Sequence, residues 1–520
     1  MREAAGRAAL LGALLLGLAV APARAQSGED PAPGPGDLFE VTRLRVPGRA
    51  LDAVPGRFGG EPAPRARSLV VAVVEGTPPT ERRRLVVFGP DARGRLAPEP
   101  VARLDVPPEV VAFDVAPAAR GGPDAIALLS ADALRLLRPG TDEPERRVAL
   151  VPPAPLPPRV RELARLALLA DWNGDGVPLA LVPSLGGARL VPLDDGGPER
   201  LLALPVAAEY ELRGPGPPVR DEWLRAEWIW PVLERADDDG DGRTDLFALT
   251  RFGASVHRAR DGGLGTLPAR SLELRPFLPE EELRHRATSL RLRAVDFDGD
   301  RRADVFVHRN AGTLLRSRSL TEVFWNPGGA EPFPARAGVR REEIGALTTS
   351  DPVDLDGDGR HELVETRTAF GVVQLARVLT TRRVEADVRV LSLARGAAPR
   401  VTWSGSLTLR LDFGEGRLVG IVPTPEGDWN GDGRKDVLLG VGADGLAVRL
   451  GEARPEGPGF GPIVASQEVP AEGQAVVSDL DGDGLDDLVL HDPRDADGVV
   501  RVLRNLGQLP GTAAGLRASP

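Results

Sequence analysis

The chain contains no cysteine. This absence excludes disulfides, thiolate catalysis, cysteine-ligated zinc and a lipoprotein anchor on an N-terminal cysteine. A protein of 520 residues with 42% apolar residues can still bury a large core. If it is exported, its stability must therefore come from the size of that core or from bound metals.

Aromatic residues are also scarce, and acidic residues outnumber basic ones, 76 to 65. Aromatics make up 4% of the chain, and Tyr210 is the only tyrosine, while glycine (61) and proline (50) are abundant. Such a composition favours short strands joined by many turns over long helices. The net charge of −11 argues against a nucleic-acid partner, because phosphate binding needs a clustered basic surface.

The N-terminus has the pattern of an export signal. Arg2 and Arg7 precede an apolar run at residues 8–20, and Ala23-Arg24-Ala25 supplies a small-x-small cleavage site. We predict a signal peptide over residues 1–25, cleavage near Ala25, and a secreted or periplasmic protein. The alternative is a membrane-anchoring helix, but the run is short for a span. No later segment is apolar enough to cross, so we expect no membrane span in the mature chain.

Beyond a flexible leader at residues 26–36, one nine-residue pattern dominates the sequence. It has Asp or Asn at positions one, three and five, a carboxylate at position nine in all copies but the first, and a run of β-forming residues after it, and copies start 51 to 74 residues apart. The six copies are DWNGDGVPL (171–179), DDDGDGRTD (237–245), DFDGDRRAD (296–304), DLDGDGRHE (354–362), DWNGDGRKD (428–436) and DLDGDGLDD (479–487).

Short strands separated by Gly, Pro and Asp turns are typical of all-β folds. Two weaker units, at residues 68–89 and 112–130, lack the loop ligands but keep paired strand patterns. Together they predict a β-propeller of about eight blades over residues 37–507, with seven as the alternative. Residues 38–46 alternate like an outer strand, and we predict that they complete the last blade.

Two further segments are assigned from the sequence. Residues 367–420 hold several alternating runs and are predicted to be a β insertion, with a separate small β-domain as the alternative. Residues 508–520 are predicted to be a disordered tail.

The loops offer oxygen atoms from side chains at positions one, three, five and nine, and from the backbone carbonyl at position seven. Ca²⁺ takes six to eight oxygen ligands, and this spacing wraps them around one centre. We predict several calcium ions, up to six. The candidate ligands are Asp171, Asn173, Asp175; Asp237, Asp239, Asp241, Arg243, Asp245; Asp296, Asp298, Asp300, Arg302, Asp304; Asp354, Asp356, Asp358, Arg360, Glu362; Asp428, Asn430, Asp432, Arg434, Asp436; and Asp479, Asp481, Asp483, Leu485, Asp487.

Two loops depart from the pattern. Leu179 replaces the ninth-position carboxylate of the first loop, so this site is predicted to be weak or empty. Arg301 stands where the other loops have a turn glycine, and it needs an unusual backbone conformation there.

An EF-hand shares the opening of the motif but requires Glu at position twelve and flanking helices. Only one copy, with Glu365, has that residue, and strands rather than helices flank the loops. The EF-hand alternative is therefore rejected.

The six loops, each followed by an apolar strand, resemble FG-GAP repeats of the VCBS type and are similar to the repeats in the propeller of integrin α subunits. The resemblance covers residues 38–507. It implies a β-propeller with calcium held in hairpin loops on one face. It implies no particular ligand, since function does not follow from fold.

The sequence contains no local signature of catalysis. The five histidines lie far apart, and neither an HExxH helix nor a GxSxG elbow occurs. We therefore predict a non-catalytic module that binds a protein or glycan ligand at a propeller face. The alternative is a calcium-dependent polysaccharide lyase or hydrolase with its site on the propeller axis. Trp223, Trp228 and Trp230 could stack on sugars, or they could fill gaps between blades.

Overall fold

The computed structural model describes residues 37–512 apart from short gaps. The gaps are residues 64, 78–79, 141–144, 151–155, 157–159, 161, 185, 194–198, 214–222, 262, 276–287, 312–316, 370–379, 382, 413–416, 420–423, 441–444 and 470–472. The predicted signal peptide, the flexible leader and most of the predicted tail lie outside the described residues.

The described strands form eight sheets of four or five strands and two short ribbons. The N-terminal strand is β1 (Phe39–Arg45). Blade 1 contains β2 (Arg49–Gly56), β3 (Ser68–Glu75), β4 (Arg82–Phe88) and β5 (Ala102–Asp105). Blade 2 contains β6 (Ala112–Pro117), β7 (Asp124–Leu129), β8 (Ala133–Leu137), β9 (Arg146–Ala149) and β10 (Ala164–Arg165). Blade 3 contains β11 (Leu169–Ala170), β12 (Leu179–Ser184), β13 (Gly187–Pro192) and β14 (Arg200–Leu202).

The ribbon β15 (Ala207–Arg213) and β16 (Trp223–Ile229) separates blades 3 and 4. Blade 4 contains β17 (Val232–Ala236), β18 (Asp245–Thr250), β19 (Gly253–His257) and, after the ribbon β20 (Ala259–Arg260) and β21 (Gly263–Leu264), β22 (Arg270–Glu273). Blade 5 contains β23 (Thr288–Val295), β24 (Asp304–Ala311), β25 (Arg318–Phe324) and β26 (Val339–Ile344).

Blade 6 contains β27 (Ala346–Val353), β28 (Glu362–Ala369), β29 (Arg383–Ser392), β30 (Arg400–Asp412) and β31 (Arg417–Val419). Blade 7 contains β32 (Thr424–Gly427), β33 (Asp436–Gly440), β34 (Gly445–Glu452) and β35 (Gly459–Glu468). Blade 8 contains β36 (Gln474–Ser478), β37 (Asp487–His491), β38 (Val499–Asn505) and the N-terminal β1.

The blades are antiparallel meanders, to which blade 2 adds the short strand β10 parallel to β6, and the second strand of each blade is buried on both faces. β3 (SLVVAVVE) has seven consecutive buried residues, and β18 (DLFALT) and β37 (DLVLH) are buried throughout. A strand covered on both sides reads as a continuous apolar run rather than an alternation. This explains why the sequence after each Asp-rich loop is so uniformly apolar.

The core is divided among eight apolar clusters, one at each boundary between neighbouring blades. The boundary of blades 8 and 1, for example, packs Leu480 and Val489 against Leu69 and Val71. A cluster at every boundary, including this last one, makes a closed ring. The prediction of an all-β propeller with eight blades is confirmed, and the alternative of seven is not.

The ring is closed by the first strand of the chain. β1 pairs antiparallel with β38, from Phe39 opposite Asn505 to Arg45 opposite Val499. Gln467 of blade 7 fixes the start of β1, because its Oε1 accepts the Phe39 N–H at 2.8 Å and its Nε2 donates to the Phe39 carbonyl at 2.9 Å. The prediction that residues 38–46 complete the last blade is confirmed.

Blade 6 has the longest strands. Its strands β29 and β30 pair over ten residues and continue the sheet of β27 and β28. They account for the alternating runs that begin at residues 385 and 401, while the run over residues 372–379 lies outside the described residues.

Four tryptophans fill gaps between blades. Trp172 and Trp429, at position two of their loops, are fully buried, and Trp325 and Trp403 are also buried. Trp403 meets the Phe460 ring edge-on at 5.2 Å. Trp230 packs partly buried at the boundary of blades 3 and 4. The side chains of Trp223 and Trp228 lie outside what the structure describes.

Candidate metal centres

All six Asp-rich loops connect the first strand of a blade to its second strand, in blades 3 to 8. Because the connection is the same in each blade, the loops lie on one face of the ring. Neighbouring loops are joined by backbone hydrogen bonds. Ala303 N–H donates to the Asp237 carbonyl at 2.8 Å, and His361 N–H donates to the Asp296 carbonyl at 2.8 Å. The loops therefore form a connected belt.

The carboxylates at positions one and five shape each loop. In the loop at 354, Asp354 accepts the N–H groups of Gly357 at 2.8 Å, Asp358 at 3.1 Å and Gly359 at 3.0 Å. The fifth-position carboxylate accepts the N–H of position seven in every loop, at Val177, Arg243, Arg302, Arg360, Arg434 and Leu485. These bonds turn the chain back on itself and hold the peptide of position seven beside the carboxylates.

The ninth-position carboxylate is buried at the start of the second strand. Asp304 accepts the N–H of Phe297 in its own loop at 3.2 Å and the N–H of Asn326 after the third strand at 2.7 Å. Asp245, Asp436 and Asp487 make the same two kinds of contact. Glu362 accepts the Leu355 N–H at 3.3 Å. Each of these carboxylates therefore ties its loop to the blade.

Four loops bring three carboxylates together. In each, one oxygen atom from every member lies within 4.8 Å of the others. The groups are Asp237, Asp239 and Asp245; Asp296, Asp298 and Asp300; Asp354, Asp356 and Asp358; and Asp479, Asp481 and Asp483. The loops at 171 and 428, which have Asn173 and Asn430 at position three, form no such group among the described residues.

Several oxygens of the loops are buried without a hydrogen-bond partner. They include Asp239 Oδ1, Asp356 Oδ1 and Asp483 Oδ2, and in the first loop Asp171 Oδ1 and Asn173 Oδ1. An ionised carboxylate can only accept, so an unpartnered buried oxygen is costly unless a cation meets it. The donor set is all oxygen, which suits a hard cation such as Ca²⁺ and not zinc or copper. The residues present thus fit a metal ion, although the geometry alone does not identify calcium.

The carboxylates also repel one another. Burial, followed by the charges of the neighbouring loop carboxylates, raises the pKa of Asp304 to about 8 and of Glu362 to about 8. The same causes raise the pKa of Asp436 to about 7. A bound cation would favour the ionised forms and remove this cost.

Arginines from outside the motif neutralise some loops. Arg258 contacts Asp238 at 2.6 Å beside the loop at 237, and Arg395 reaches from blade 6 to Asp298 at 2.8 Å. Arg504 contacts Asp481 at 3.3 Å. Among the described residues, no arginine forms an ion pair with a carboxylate of the loop at 354. The four loops with clustered acids therefore differ in charge balance.

Arg301 adopts a left-handed backbone, with φ of 63°. The glycines at the same position have φ near 80–90°, such as 91° at Gly359. The loop at 296 therefore keeps the common turn and bears the strain of a side chain in that region.

Two asparagines escaped the sequence-based search. Asn326 Nδ2 donates to the Asp238 carbonyl of the preceding blade at 2.9 Å, while its Oδ1 accepts the Gly328 N–H at 2.9 Å. Asn505 repeats this arrangement with the Trp429 carbonyl at 2.8 Å. Both stand at or just after the end of a third strand in an Asn-x-Gly sequence, and that recurrence was the available signal. They bind the loops at 237 and 428 to the next blade.

The described histidines serve the same structural purpose. Each hydrogen-bonds a backbone carbonyl, in the pairs His257 with Gly265, His308 with Thr348, His361 with Asp296, and His491 with Ala50. Burial lowers the pKa of all four imidazoles. His285 lies outside the described residues.

No helix in the described ranges combines the length and apolar character that a bilayer span requires.

Comparisons with known proteins give only distant structural similarity. No protein family and no curated protein matches the chain. The structure is similar to the V. cholerae biofilm matrix protein Bap1, at 12% identity and a TM-score of 0.34, over 91% of this chain and 92% of that one. It is similar to the WD40 domain of SCAP from fission yeast at 9% identity and a TM-score of 0.28, over 90% and 98% of the chains. At these TM-scores neither similarity supports a functional inference, and the resemblance to FG-GAP repeats stays a prediction.

Proposed function

We propose that the protein is a secreted, calcium-loaded β-propeller that acts as a non-catalytic binding or scaffolding module for a protein or glycan ligand. The observation that carries the metal part is the set of four acidic clusters, whose oxygens lie within 4.8 Å of one another. The buried, unpartnered oxygens of Asp239, Asp356 and Asp483 support it further.

Calcium would act as a structural cofactor in this role. The loops join neighbouring blades, so an ion in each loop would stabilise the belt as well as the blade that holds it. In each loop, the side chains at positions one, three, five and nine would bind the ion, together with the backbone carbonyl at position seven. The loop at 171 lacks the ninth-position carboxylate and would bind most weakly.

The non-catalytic role is supported by the structural contacts that the described histidines and tryptophans make. The four histidines bond to backbone carbonyls, and Trp172, Trp325, Trp403 and Trp429 are buried between blades. These side chains stabilise the ring. A ligand would accordingly bind on an outer surface or at a face, with the ring as a rigid support.

The metal part is tested by counting ions. Equilibrium dialysis of the mature chain against calcium should give four to six bound ions per chain, and magnesium should compete poorly because it demands a stricter octahedral geometry. Fewer than two bound calcium ions would contradict the proposal.

The other parts need separate tests. N-terminal sequencing of the exported protein should begin at Gln26. Incubation of the calcium-loaded chain with acidic and neutral polysaccharides should release no new reducing ends and no unsaturated products. Release of either would instead favour the alternative of a calcium-dependent lyase or hydrolase.

A further inference from the structure

A cavity of about 250 Å³ lies between the outer parts of blades 4 and 5. Four arginines line it, Arg275, Arg309, Arg336 and Arg340, against two glutamates. Leu320 and Phe324 form apolar parts of its wall. No residue of the Asp-rich loops lines this cavity, and the positive lining contrasts with the net charge of −11 of the whole chain.

The carboxylates that line the cavity neutralise its arginines only in part. Glu322 is shared by Arg340 at 2.6 Å and Arg309 at 3.4 Å. Arg275 and Arg336 are exposed and form no ion pair with any described carboxylate. The rim therefore has two guanidinium groups available to an incoming anion.

Arg309 is the buried member of the group. Its side chain is 8% exposed, one terminal nitrogen donates to the Arg275 carbonyl at 2.7 Å, and its Nε has no hydrogen-bond acceptor. Burial lowers the pKa of this guanidinium, and the charge of Glu322 only partly opposes the shift. Its charge adds to the positive lining of the cavity.

The size and lining of the cavity restrict what it could hold. Pockets for drug-sized ligands measure roughly 300–1,000 Å³, so this one suits a single ring. The apolar wall can pack against a ring, and the planar guanidinium groups match a carboxylate in a two-point contact.

We infer that the cavity between blades 4 and 5 binds a small anion in which a carboxylate is carried on a single ring, with Arg275 and Arg336 meeting the carboxylate. A sugar acid and an aromatic acid share this chemistry. The inference goes beyond the protein or glycan ligand proposed above, and it does not depend on calcium.

Calorimetric titration of the mature chain in calcium at low salt tests the inference. The probes are glucuronate, benzoate and neutral methyl glucoside. At least one carboxylate should bind at a single site, and methyl glucoside should not bind. Binding of glucuronate alone identifies a sugar acid, and binding of benzoate alone identifies an aromatic acid. If neither carboxylate binds, the inference is overturned.

Paired variants separate the site from general charge. Arg275→Ser with Arg336→Ser should weaken carboxylate binding at least tenfold. Arg103→Ser with Arg494→Ser removes the same charge from exposed positions elsewhere and should change the affinity less than twofold. Equal weakening by both pairs would overturn the inference. A chain that shows no response to calcium but still binds the carboxylate would contradict the metal proposal and leave this one standing.

Discussion

The loops at 237–245 and 354–362 share a motif but differ in how their charge is balanced. In the first, Arg258 approaches Asp238 at 2.6 Å and Arg260 approaches Asp239 at 3.0 Å. In the second, the described residues place no cation in an ion pair with any of the four carboxylates. The motif therefore sets the geometry of the loop, while residues outside it decide how much the loop needs a metal.

The ninth-position carboxylates of the two loops also differ, because Asp245 accepts two backbone N–H groups and Glu362 accepts one. Burial raises the pKa of Asp245 to about 6 and that of Glu362 to about 8. For Glu362, a single backbone hydrogen bond, from the Leu355 N–H, opposes this rise in pKa, and the charges of the other loop carboxylates add to it. The loop at 354 should be the more calcium-dependent of the two, and the following predictions test that comparison.

The largest expected effect is on the pH dependence of the metal-free protein. The folded chain keeps a proton on Glu362 that the unfolded chain releases above its ordinary pKa of 4.5. The unfolding free energy should therefore fall as pH rises from about 4.5 to about 8, by up to about 5 kcal/mol for this group. Glu362→Gln should flatten the upper part of this profile, measured by urea unfolding in chelator.

Calcium supplies the control for that measurement. With ions bound, the carboxylates are held ionised and stability should no longer fall as pH rises from 6 to 8. A metal-free profile that rises with pH over this range would contradict the assigned charge balance.

The next effect concerns the first-position carboxylates in calcium. Both Asp354 and Asp237 accept three backbone N–H groups within their loops. Asp354→Ala should cost about 3 kcal/mol, and Asp237→Ala about 1 kcal/mol less, because Arg258 and Arg260 still neutralise the loop at 237 when its ion is lost. Thermal unfolding in saturating calcium measures both, and the reverse order would break the comparison.

A smaller effect of opposite sign is expected at the third position without metal. Asp356→Asn removes a repelling charge and should stabilise the metal-free chain by about 1 kcal/mol. Asp239→Asn removes the partner of Arg260 and should destabilise it by about 0.5 kcal/mol. Urea unfolding in chelator gives both values. If both variants change the unfolding free energy in the same direction, the arginines do not make the two loops differ.

The smallest effect separates backbone strain from charge. Arg301→Gly should stabilise the chain by about 0.5–1 kcal/mol, because φ of 63° favours glycine. Gly359→Arg makes the matched change in the loop at 354, where φ is 91°, and should be destabilising. Both are measured by thermal unfolding in calcium. No change in either variant would contradict a shared turn geometry.

The fold was largely predictable because its signals are local. Each loop recurs together with the apolar strand after it, and the alternation of residues 38–46 predicts the closing strand that pairs with β38. The two blades without Asp-rich loops were recognisable from their strand pairs alone.

The charge balance of the loops was not predictable in the same way. Arg395 reaches Asp298 from 97 residues away in sequence, and Asn326 reaches Asp238 from 88 residues away. Both cross a blade boundary, so their positions follow from the packing of the ring. The arginine-lined cavity likewise combines β22 of blade 4 with three strands of blade 5.

Thermal unfolding of the mature chain, in saturating calcium and in excess chelator, tests the central claim most directly. One site at 1,000 times its dissociation constant stabilises by about 4 kcal/mol, so several occupied loops should give a larger shift than a single ion can. We predict such a shift, with Asp354→Ala removing more of it than Asp237→Ala. Identical melting in calcium and chelator would mean that the Asp-rich loops are turns without ions, and would contradict the proposal that they hold calcium.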